Sequence, residues 1–161
     1  MRTLCWTAFW IFLVDQASKF YVVHVLKLDV VKRIEVFEPF LVLQMAWNRG
    51  VNFGLFADFD MRWVLIAVAL AITAGVLIWL WRAGGTKWTF IAGGVLIGGA
   101  LGNVVDRVLY GAVADFLNMS CCGFTNPYAF NVADIAIFVG AVGLALAPDP
   151  AKPAKGVKKG R

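Results

Sequence analysis

Three long stretches almost without charge constrain this chain more than any other feature. Residues 63–81 and 88–105 carry no charged side chain, and residues 129–147 carry only Asp134. Each approaches the roughly 20 residues that a helix needs to cross about 30 Å of hydrocarbon. Because 61% of the residues are hydrophobic and the mean hydropathy is +0.77, the sequence predicts an integral membrane protein rather than a soluble domain.

A fourth candidate span, residues 4–24, is apolar except for Asp15, Lys19 and His24. An Arg at position 2 ahead of an apolar run is also typical of a cleaved signal peptide. The polar interruption and the lack of a following A-x-A pattern favour a retained helix. We therefore expect four transmembrane helices, with both ends of the chain on one membrane side.

The distribution of basic residues predicts which side that is. The two ends and the loop between the second and third spans hold eight Lys or Arg against one acid, Asp149, which is typical of a cytoplasmic face. The first outer loop, about 25–62, is balanced in charge, and the second, about 108–128, holds no Lys or Arg. We assign residues 1–148 to one transmembrane domain and expect a basic, disordered tail over 149–161 that touches anionic lipid. Nucleic acid is not indicated, because the basic residues form no stripe with interleaved aromatics.

Two local patterns predict how the elements pack. Gly94, Gly98 and Gly102 fall four residues apart on one ridge of the third span, where small residues let a neighbouring helix approach closely. Between the first two spans, the stretch "VVKRIEVFEPFLVLQMAW" combines short alternation with apolar runs and a proline. This pattern favours strands of a small sheet over a helix.

The polar residues of separate spans converge at one depth, near the outer face. Two pairs lie four residues apart, Asp15 with Lys19 and Asn103 with Arg107, so each pair shares one helix face. Asn131 and Asp134 open the last span, and Asp115 lies in the second outer loop. Ionisable residues inside a membrane are costly enough to be functional candidates.

These groups support amide hydrolysis by two carboxylates. Arg107 is the basic residue expected near Asp134, and Asp115 adds a second negative charge. Two carboxylates in a partly dehydrated site cannot both ionise cheaply, so one is expected to keep a proton at neutral pH. The ionised member can take a proton from water while the other protonates the carbonyl oxygen or the leaving amine.

Other interpretations stay open at this point. The charges could simply pair, Asp15 with Lys19 and Asp106 with Arg107 or lipid headgroups. Nucleophilic chemistry by Cys121 or Cys122 with His24, or by Ser120 with Lys19, is topologically possible. A single His and the lack of ligand spacing argue against a metal site. A small proton-coupled transporter would place its carboxylates at the midplane within repeats, and a scaffold built on the glycine ridge would need no carboxylates.

Five motifs in order along the chain carry a specific resemblance. They are "DQASK" at 15–19, "NRGVNFG" at 48–54, "GGALGNVVDR" at 98–107, "VADF" at 113–116 and "FNVAD" at 130–134. With this series the chain resembles lipoprotein signal peptidase, or signal peptidase II, a family of bacterial inner-membrane aspartyl peptidases. The paired cysteines in "SCCGFTNPYAF" are not part of the family pattern. They leave the two acidic motifs intact.

The resemblance implies a fold, a reaction and a set of site residues. The fold is all-α, with four transmembrane helices, a small periplasmic β-sheet cradle at about 25–62 and a short periplasmic helix. The reaction removes signal peptides from diacylglyceryl-modified prolipoproteins just before the lipidated Cys, with no cofactor or metal. The family's catalytic pair maps onto Asp115 and Asp134. Its substrate- and inhibitor-contacting positions map onto Asp15, Lys19, Asn48, Gly99, Asn103, Arg107 and Asn131.

The resemblance also implies a location and ligands. A multi-pass protein of the bacterial inner membrane is expected, with both termini cytoplasmic and the active site near the periplasmic face. Membrane lipid and the lipidated prolipoproteins are the implied partners, and globomycin-like peptide antibiotics the implied inhibitors.

Overall fold

The computed structural model describes residues 1–50 and 61–147. The predicted disordered tail, 149–161, lies outside the described residues. So do positions 51–54 of the "NRGVNFG" motif and the rest of the cradle segment 51–60.

The described part of the chain contains five α-helices, and four of them lie at the positions of the predicted spans. The first helix, α1, is extended by a π-helical turn at Tyr21–Val25. The helix α2 is only four residues long, whereas the other four have at least 14 residues. The bounds are α1 Arg2–Phe20, α2 Leu28–Val31, α3 Met61–Ala83, α4 Lys87–Tyr110 and α5 Val132–Ala145.

Local sequence sets the ends of the two helices that carry the candidate site. Thr86 caps α4 by accepting a hydrogen bond from the Thr89 backbone, and Gly111 ends α4 with a φ of +72°, which a glycine adopts without strain. Asn131 caps α5 in the same reciprocal way with Asp134, three residues further on. The predicted span 129–147 therefore begins as a helix only after Asn131.

Two described helices, α3 and α4, are long and apolar enough to cross a membrane. The helix α5 is apolar but shorter, and α1 contains the buried Asp15 and Lys19. Most of α3 is exposed in the isolated chain, as are aromatic residues of α1 such as Trp6 and Trp10. Exposed apolar surface on this scale suits contact with lipid.

The helix α4 is the centre of the bundle and packs against α1, α3 and α5. A Cβ added at Gly98 would stand 2.6 Å from the Ala8 carbonyl oxygen of α1, and one at Gly94 would stand 2.7 Å from the Leu4 carbonyl oxygen. The predicted glycine ridge is thus confirmed as the surface on which α1 lies. Gly99 is on a different face of α4 and makes the same kind of close approach to Ala133 of α5.

The sheet has three antiparallel strands in the order β1 (Arg33–Phe37), β2 (Leu41–Asn48) and β3 (Val113–Asn118). The prediction of strands between the first two helices is confirmed. The prediction that Asp115 lies in a loop is wrong, because β3 pairs with β2 and places Asp115 opposite Ala46. The helix α4 also continues to Tyr110, which shortens the segment predicted as the second outer loop.

A small apolar cluster holds the sheet against the helices. Val22 of the π-helical turn, Leu28 of α2 and Phe116 of β3 are buried together. Phe130 then exchanges backbone hydrogen bonds with Leu117, which attaches the segment leading into α5 to the free edge of β3. The sheet therefore brings β3 and the start of α5 to the same end of the bundle.

We expect Gly98→Val to destabilise the protein, because its side chain would collide with the α1 backbone, which cannot move without separating the two helices. Overpacking of this kind costs about 1–3 kcal/mol. The matched control is Gly75→Val in α3, where an added Cβ meets nothing within 4 Å. Thermal unfolding in detergent measures both variants. Equal stability of Gly98→Val and the wild type would contradict the close helix contact.

Candidate active site

The structure brings most of the predicted site residues into one hydrogen-bonded network. Five elements supply them: Asp15 and Lys19 from α1, Asn48 from the end of β2, Asn103 and Arg107 from α4, Asp115 from β3, and Asn131 and Asp134 from the start of α5. Gly99, which has no side chain, lies where α4 packs on α5 and is not part of this network.

Asn131 joins the two candidate catalytic carboxylates. Its side-chain Nδ2 donates to Oδ1 of Asp115 at 2.6 Å, and its backbone N–H donates to Oδ2 of Asp134 at 3.2 Å. The side chain of Asn131 is fully buried, whereas Asp134 remains partly exposed. One residue, fixed by its role as the cap of α5, therefore sets the position of both carboxylates.

Two further asparagines each donate to one carboxylate. Asn103 Nδ2 donates to Oδ1 of Asp134 at 2.9 Å, and Asn48 Nδ2 donates to Oδ2 of Asp115 at 3.0 Å. Each of the three asparagine side chains also has its oxygen occupied by a donor behind it: Lys19 for Asn103, the Gly50 N–H for Asn48 and the Asp134 N–H for Asn131. Three neutral amides thus present N–H groups to the carboxylate pair.

The surroundings of Asp115 raise its pKa. Burial, followed by the negative charge of Asp134, raises the pKa of Asp115 from its usual value to about 6, although hydrogen bonds from Asn48 and Asn131 oppose the rise. This shift has the direction expected for a carboxyl that keeps a proton, but a pKa of about 6 does not meet the expectation of a proton held at neutral pH. With a pKa near 6 the carboxyl is mostly ionised at pH 7.

Behind the asparagines lies a buried ionic cluster. Lys19 Nζ is 2.9 Å from Oδ2 of Asp15 and 2.9 Å from Oδ2 of Asp106. The pairing of Asp15 with Lys19 is confirmed, whereas the suggested pairing of Asp106 with Arg107 or lipid is wrong: Asp106 is 1% exposed and its partner is Lys19.

Two members of this cluster, Asp106 and Gln16, were not among the predicted site residues. Gln16 donates to Asp106, to Asp15 and to the Gly102 carbonyl. Helical spacing contained the signal for Asp106, since it follows Asn103 by three residues and so lies on the same face of α4.

Arg107 contacts the site through the backbone and through its charge. Its NH1 donates to the Asn103 carbonyl at 3.3 Å, and its positive charge acts on both Asp134 and Asp115. The partly exposed guanidinium has further donors for a bound group.

A cavity of about 340 Å³ opens beside Asp115. It is lined by the end of β2 and by the segment before α5: Ala46, Trp47, Asn48, Asp115, Pro127, Tyr128 and Ala129. Mixed polar and apolar walls next to a carboxylate suit an extended peptide.

The alternative nucleophile pairs are not assembled. His24 packs its ring against Phe20, and Cys121 and Cys122 are exposed in the turn after β3. Ser120 hydroxyl contacts Asn118 and Asn126, and Lys19 is engaged by Asp15, Asp106 and Asn103. Within residues 1–50 and 61–147, no three His, Cys, Asp or Glu residues are grouped to hold a metal ion.

The fold is that of a bacterial membrane enzyme. A bacterial membrane enzyme solved by the in meso method superposes with a TM-score of 0.74 and 25% identity, over 89% of this chain and 85% of the other. A second such structure gives a TM-score of 0.77 at 24% identity, over 90% and 91% of the two chains, and supports the fold alone.

Sequence comparison defines the family within that class. The family model for signal peptidase (SPase) II matches residues 7–148. The lipoprotein signal peptidase of Methylorubrum extorquens (strain PA1) is 43% identical over 150 residues, 89% of this chain and 85% of that protein. The lipoprotein signal peptidase of Pseudomonas fluorescens (strain Pf0-1) is 39% identical over 144 residues, 88% and 84%. This chain belongs to the signal peptidase II family, whose members are peptidases.

We expect the carboxyl of Asp115 to titrate near pH 6 and Asn48→Leu to move that titration to higher pH. The leucine removes an N–H that favours the ionised form, so the pKa of Asp115 must rise. Infrared difference spectra of ¹³C-aspartate-labelled protein, with Asp115→Asn subtracted, measure the value. The control is Gln44→Leu on the same strand, and an unchanged Asp115 titration in Asn48→Leu would contradict the contact.

Proposed function

We propose that this chain is an aspartyl endopeptidase that removes signal peptides from diacylglyceryl-modified prolipoproteins, cutting just before the lipidated Cys. The observation that carries the proposal is that Asn131 donates to both acids, through its side chain to Asp115 and through its backbone N–H to Asp134, with a cavity of about 340 Å³ beside Asp115. Relatives named lipoprotein signal peptidase, about 40% identical over most of the chain, supply the substrate class.

The proposed mechanism uses one proton shared by the two carboxylates. The ionised carboxylate takes a proton from water as the water oxygen bonds to the peptide carbonyl carbon, and the protonated carboxyl gives its proton to the carbonyl oxygen. When the tetrahedral species collapses, the C–N bond breaks. The proton taken from water goes to the leaving nitrogen, while the oxygen returns its proton to the other carboxyl. The signal peptide leaves with a carboxyl group, and the lipidated Cys gains a free amino group.

The neighbouring polar residues hold this geometry and the substrate. Asn48 and Asn131 orient Asp115, and Asn103 orients Asp134. Arg107 is free to direct its remaining donors to the substrate backbone, and Gly99 lets α5 approach α4 closely enough to bring Asp134 into the site. Asp15 and Lys19 stabilise α1 beside the site.

We place the enzyme in the bacterial inner membrane with four spanning helices, α1, α3, α4 and α5, and with both termini cytoplasmic. The sheet and the dyad then lie near the periplasmic face, where the acyl chains of the substrate can remain in the bilayer. The charge asymmetry of the chain supports this orientation. A globomycin-like peptide is the proposed inhibitor class, occupying the cavity beside Asp115.

We expect Asp115→Asn and Asp134→Asn each to abolish cleavage while leaving substrate binding intact. Asparagine keeps the shape and much of the hydrogen bonding of aspartate but cannot exchange a proton. General acid–base groups contribute on the order of 100-fold to 10,000-fold each. Because the two carboxylates act as a unit, the double variant should be little worse than either single one. Single-turnover cleavage of a purified lipidated prolipoprotein, alongside its non-lipidated form, measures this.

The matched control for the dyad variants is Cys121→Ser with Cys122→Ser, together with Ser120→Ala, all of which should retain most activity. Water is the proposed nucleophile, so no side chain forms a covalent intermediate. Substantial activity in Asp134→Asn would rule out the proposed dyad. An inactive but folded cysteine variant would support a thiol nucleophile instead.

We expect a membrane-impermeant thiol reagent to label Cys121 and Cys122 in intact cells, because both thiols are exposed and the turn carrying them lies on the proposed periplasmic side. Cys5, near the opposite end of α1, should react only after the cells are opened. Variants that each retain a single cysteine show which of the three is labelled. Labelling of Cys5 in unopened cells would reverse the proposed orientation.

A further inference from the structure

We propose that Lys19 is a positioning residue for the dyad, which fixes the side-chain amide of Asn103 so that it donates to Asp134. The inference rests on the proposed function. It assigns to a residue in the middle of α1 an effect on the chemical step, exerted through one intervening amide rather than through contact with the substrate.

All three N–H donors of Lys19 are used inside the protein, so none is left to bind a substrate. An ammonium group has three N–H donors and no acceptor. The Nζ atom of Lys19 lies 2.9 Å from Asp15, 2.9 Å from Asp106 and 3.0 Å from Oδ1 of Asn103, which accounts for all three. The side chain is 6% exposed, so its charge acts inside the protein.

The third of these bonds, with a longer one of 3.4 Å from Asn131 Nδ2 to the same oxygen, sets the orientation of Asn103. Because Lys19 can only donate, it selects the oxygen of the Asn103 side chain, and the NH₂ group is then turned to Asp134 at 2.9 Å. The reversed amide would set NH₂ against an ammonium and an oxygen against a carboxylate, two contacts that repel. Lys19 thus acts on Asp134 indirectly, by holding the Asn103 amide with its N–H toward the carboxylate.

The other two asparagines show why Lys19 is needed at this position. The oxygens of Asn48 and Asn131 are held by backbone N–H groups, of Gly50 and Asp134. In the middle of α4, next to Asn103, and in the facing turn of α1, backbone N–H groups are used within the helices. Side-chain donors take their place, and the charged Lys19 at 3.0 Å holds the Asn103 oxygen more strongly than the neutral amide of Asn131 at 3.4 Å.

Asp15 and Asp106 are the groups that keep this charge in place. Asp106 also accepts from the Ala114 N–H of β3, and Asp15 accepts from the Ala133 N–H of α5. The lysine is thus held between two carboxylates that are themselves attached to the strand and the helix bearing the dyad. Within residues 1–50 and 61–147, the charged groups near Asp134 or its donor Asn103 include Asp15 and Lys19 on α1, Asp106 and Arg107 on α4, and Asp115 on β3.

The test compares two neutral replacements that differ in one property. Lys19→Gln and Lys19→Met have side chains of similar length, but only glutamine has an N–H to donate to Asn103. Each is combined with Asp106→Asn, so that the cluster keeps its net charge: Lys19, Asp15 and Asp106 sum to −1, and Asp15 alone is −1. Rates, KM for a lipidated prolipoprotein and the pH–rate profile are measured for both double variants.

We expect the methionine form to lose about tenfold to a hundredfold more kcat than the glutamine form, the effect of one hydrogen bond to a charged group. KM should differ by less than about threefold, because uniform binding is not altered. The acidic limb of the pH–rate profile, which belongs to the carboxylate pair, should move to higher pH in the methionine form alone, since the pair loses one oriented N–H donor.

An independent arm leaves the ionic cluster intact. Asn103→Leu removes the donor itself and should reproduce the kcat loss and the shifted acidic limb of the methionine form. Should the Lys19 variants fail to fold, an unchanged kcat in Asn103→Leu still overturns the proposal, because the bond that Lys19 is said to orient would then have no effect on catalysis. Identical kcat and pH profiles for the methionine and glutamine forms, or an unshifted profile in Asn103→Leu, would overturn the positioning role. A loss confined to KM would instead make Lys19 a substrate contact.

These outcomes are separate from failure of the proposed function. An enzyme that does not cleave lipidated substrate, or whose Asp134→Asn variant is active, refutes the dyad. Dyad-dependent cleavage with indistinguishable glutamine and methionine forms refutes only the role of Lys19.

Discussion

The buried ion cluster around Lys19 is the interaction on which the rest of the structure depends. An ammonium taken out of water is tolerated only with close counter-charges and filled hydrogen bonds. Asp15 and Asp106 supply both, and each carboxylate also accepts a backbone N–H, from Ala133 at the start of α5 and from Ala114 of β3. A single cluster therefore ties α1, α4, β3 and α5 together at the level of the two candidate catalytic carboxylates.

Close helix packing makes this cluster possible. Charged groups can meet at 2.9 Å only where the helix backbones come near each other, and the glycines of α4 permit this on two faces. Gly94 and Gly98 bring α1 against α4, and at Gly102 an added Cβ would overlap the carboxylate of Asp15. On the other face, Gly99 admits α5, where Gly140 in turn stands against the Leu96 backbone. The small residues and the buried charges thus form one arrangement.

The site itself is built mainly from neutral amides. A lysine or arginine bonded directly to either carboxylate would favour its ionised form and oppose the shared proton that the proposed mechanism needs. Asparagine N–H groups orient the carboxylates with a weaker preference for charge. This is consistent with the pKa of Asp115, which burial and Asp134 raise to about 6 despite two amide donors. In the part of the chain that the structure describes, the positively charged Lys19 and Arg107 make no direct hydrogen bond to either carboxylate. Lys19 acts through Asn103, and Arg107 donates to the Asn103 carbonyl.

The sequence by itself determined the membrane character, the approximate extents of the long helices, the strands between the first two and the glycine surface of α4. These features depend on local composition and on spacing within one element. It also predicted that polar residues of separate helices would meet, and the structure joins most of them in one hydrogen-bonded network. Only the tertiary structure decided that Asp115 lies in a strand, that Asp106 pairs with Lys19 rather than Arg107, and which way each asparagine amide faces. Those outcomes depend on partners distant in sequence, on β2, α1 and the backbone at the start of α5, and a hydrogen-bond orientation is set only when all its partners are in place.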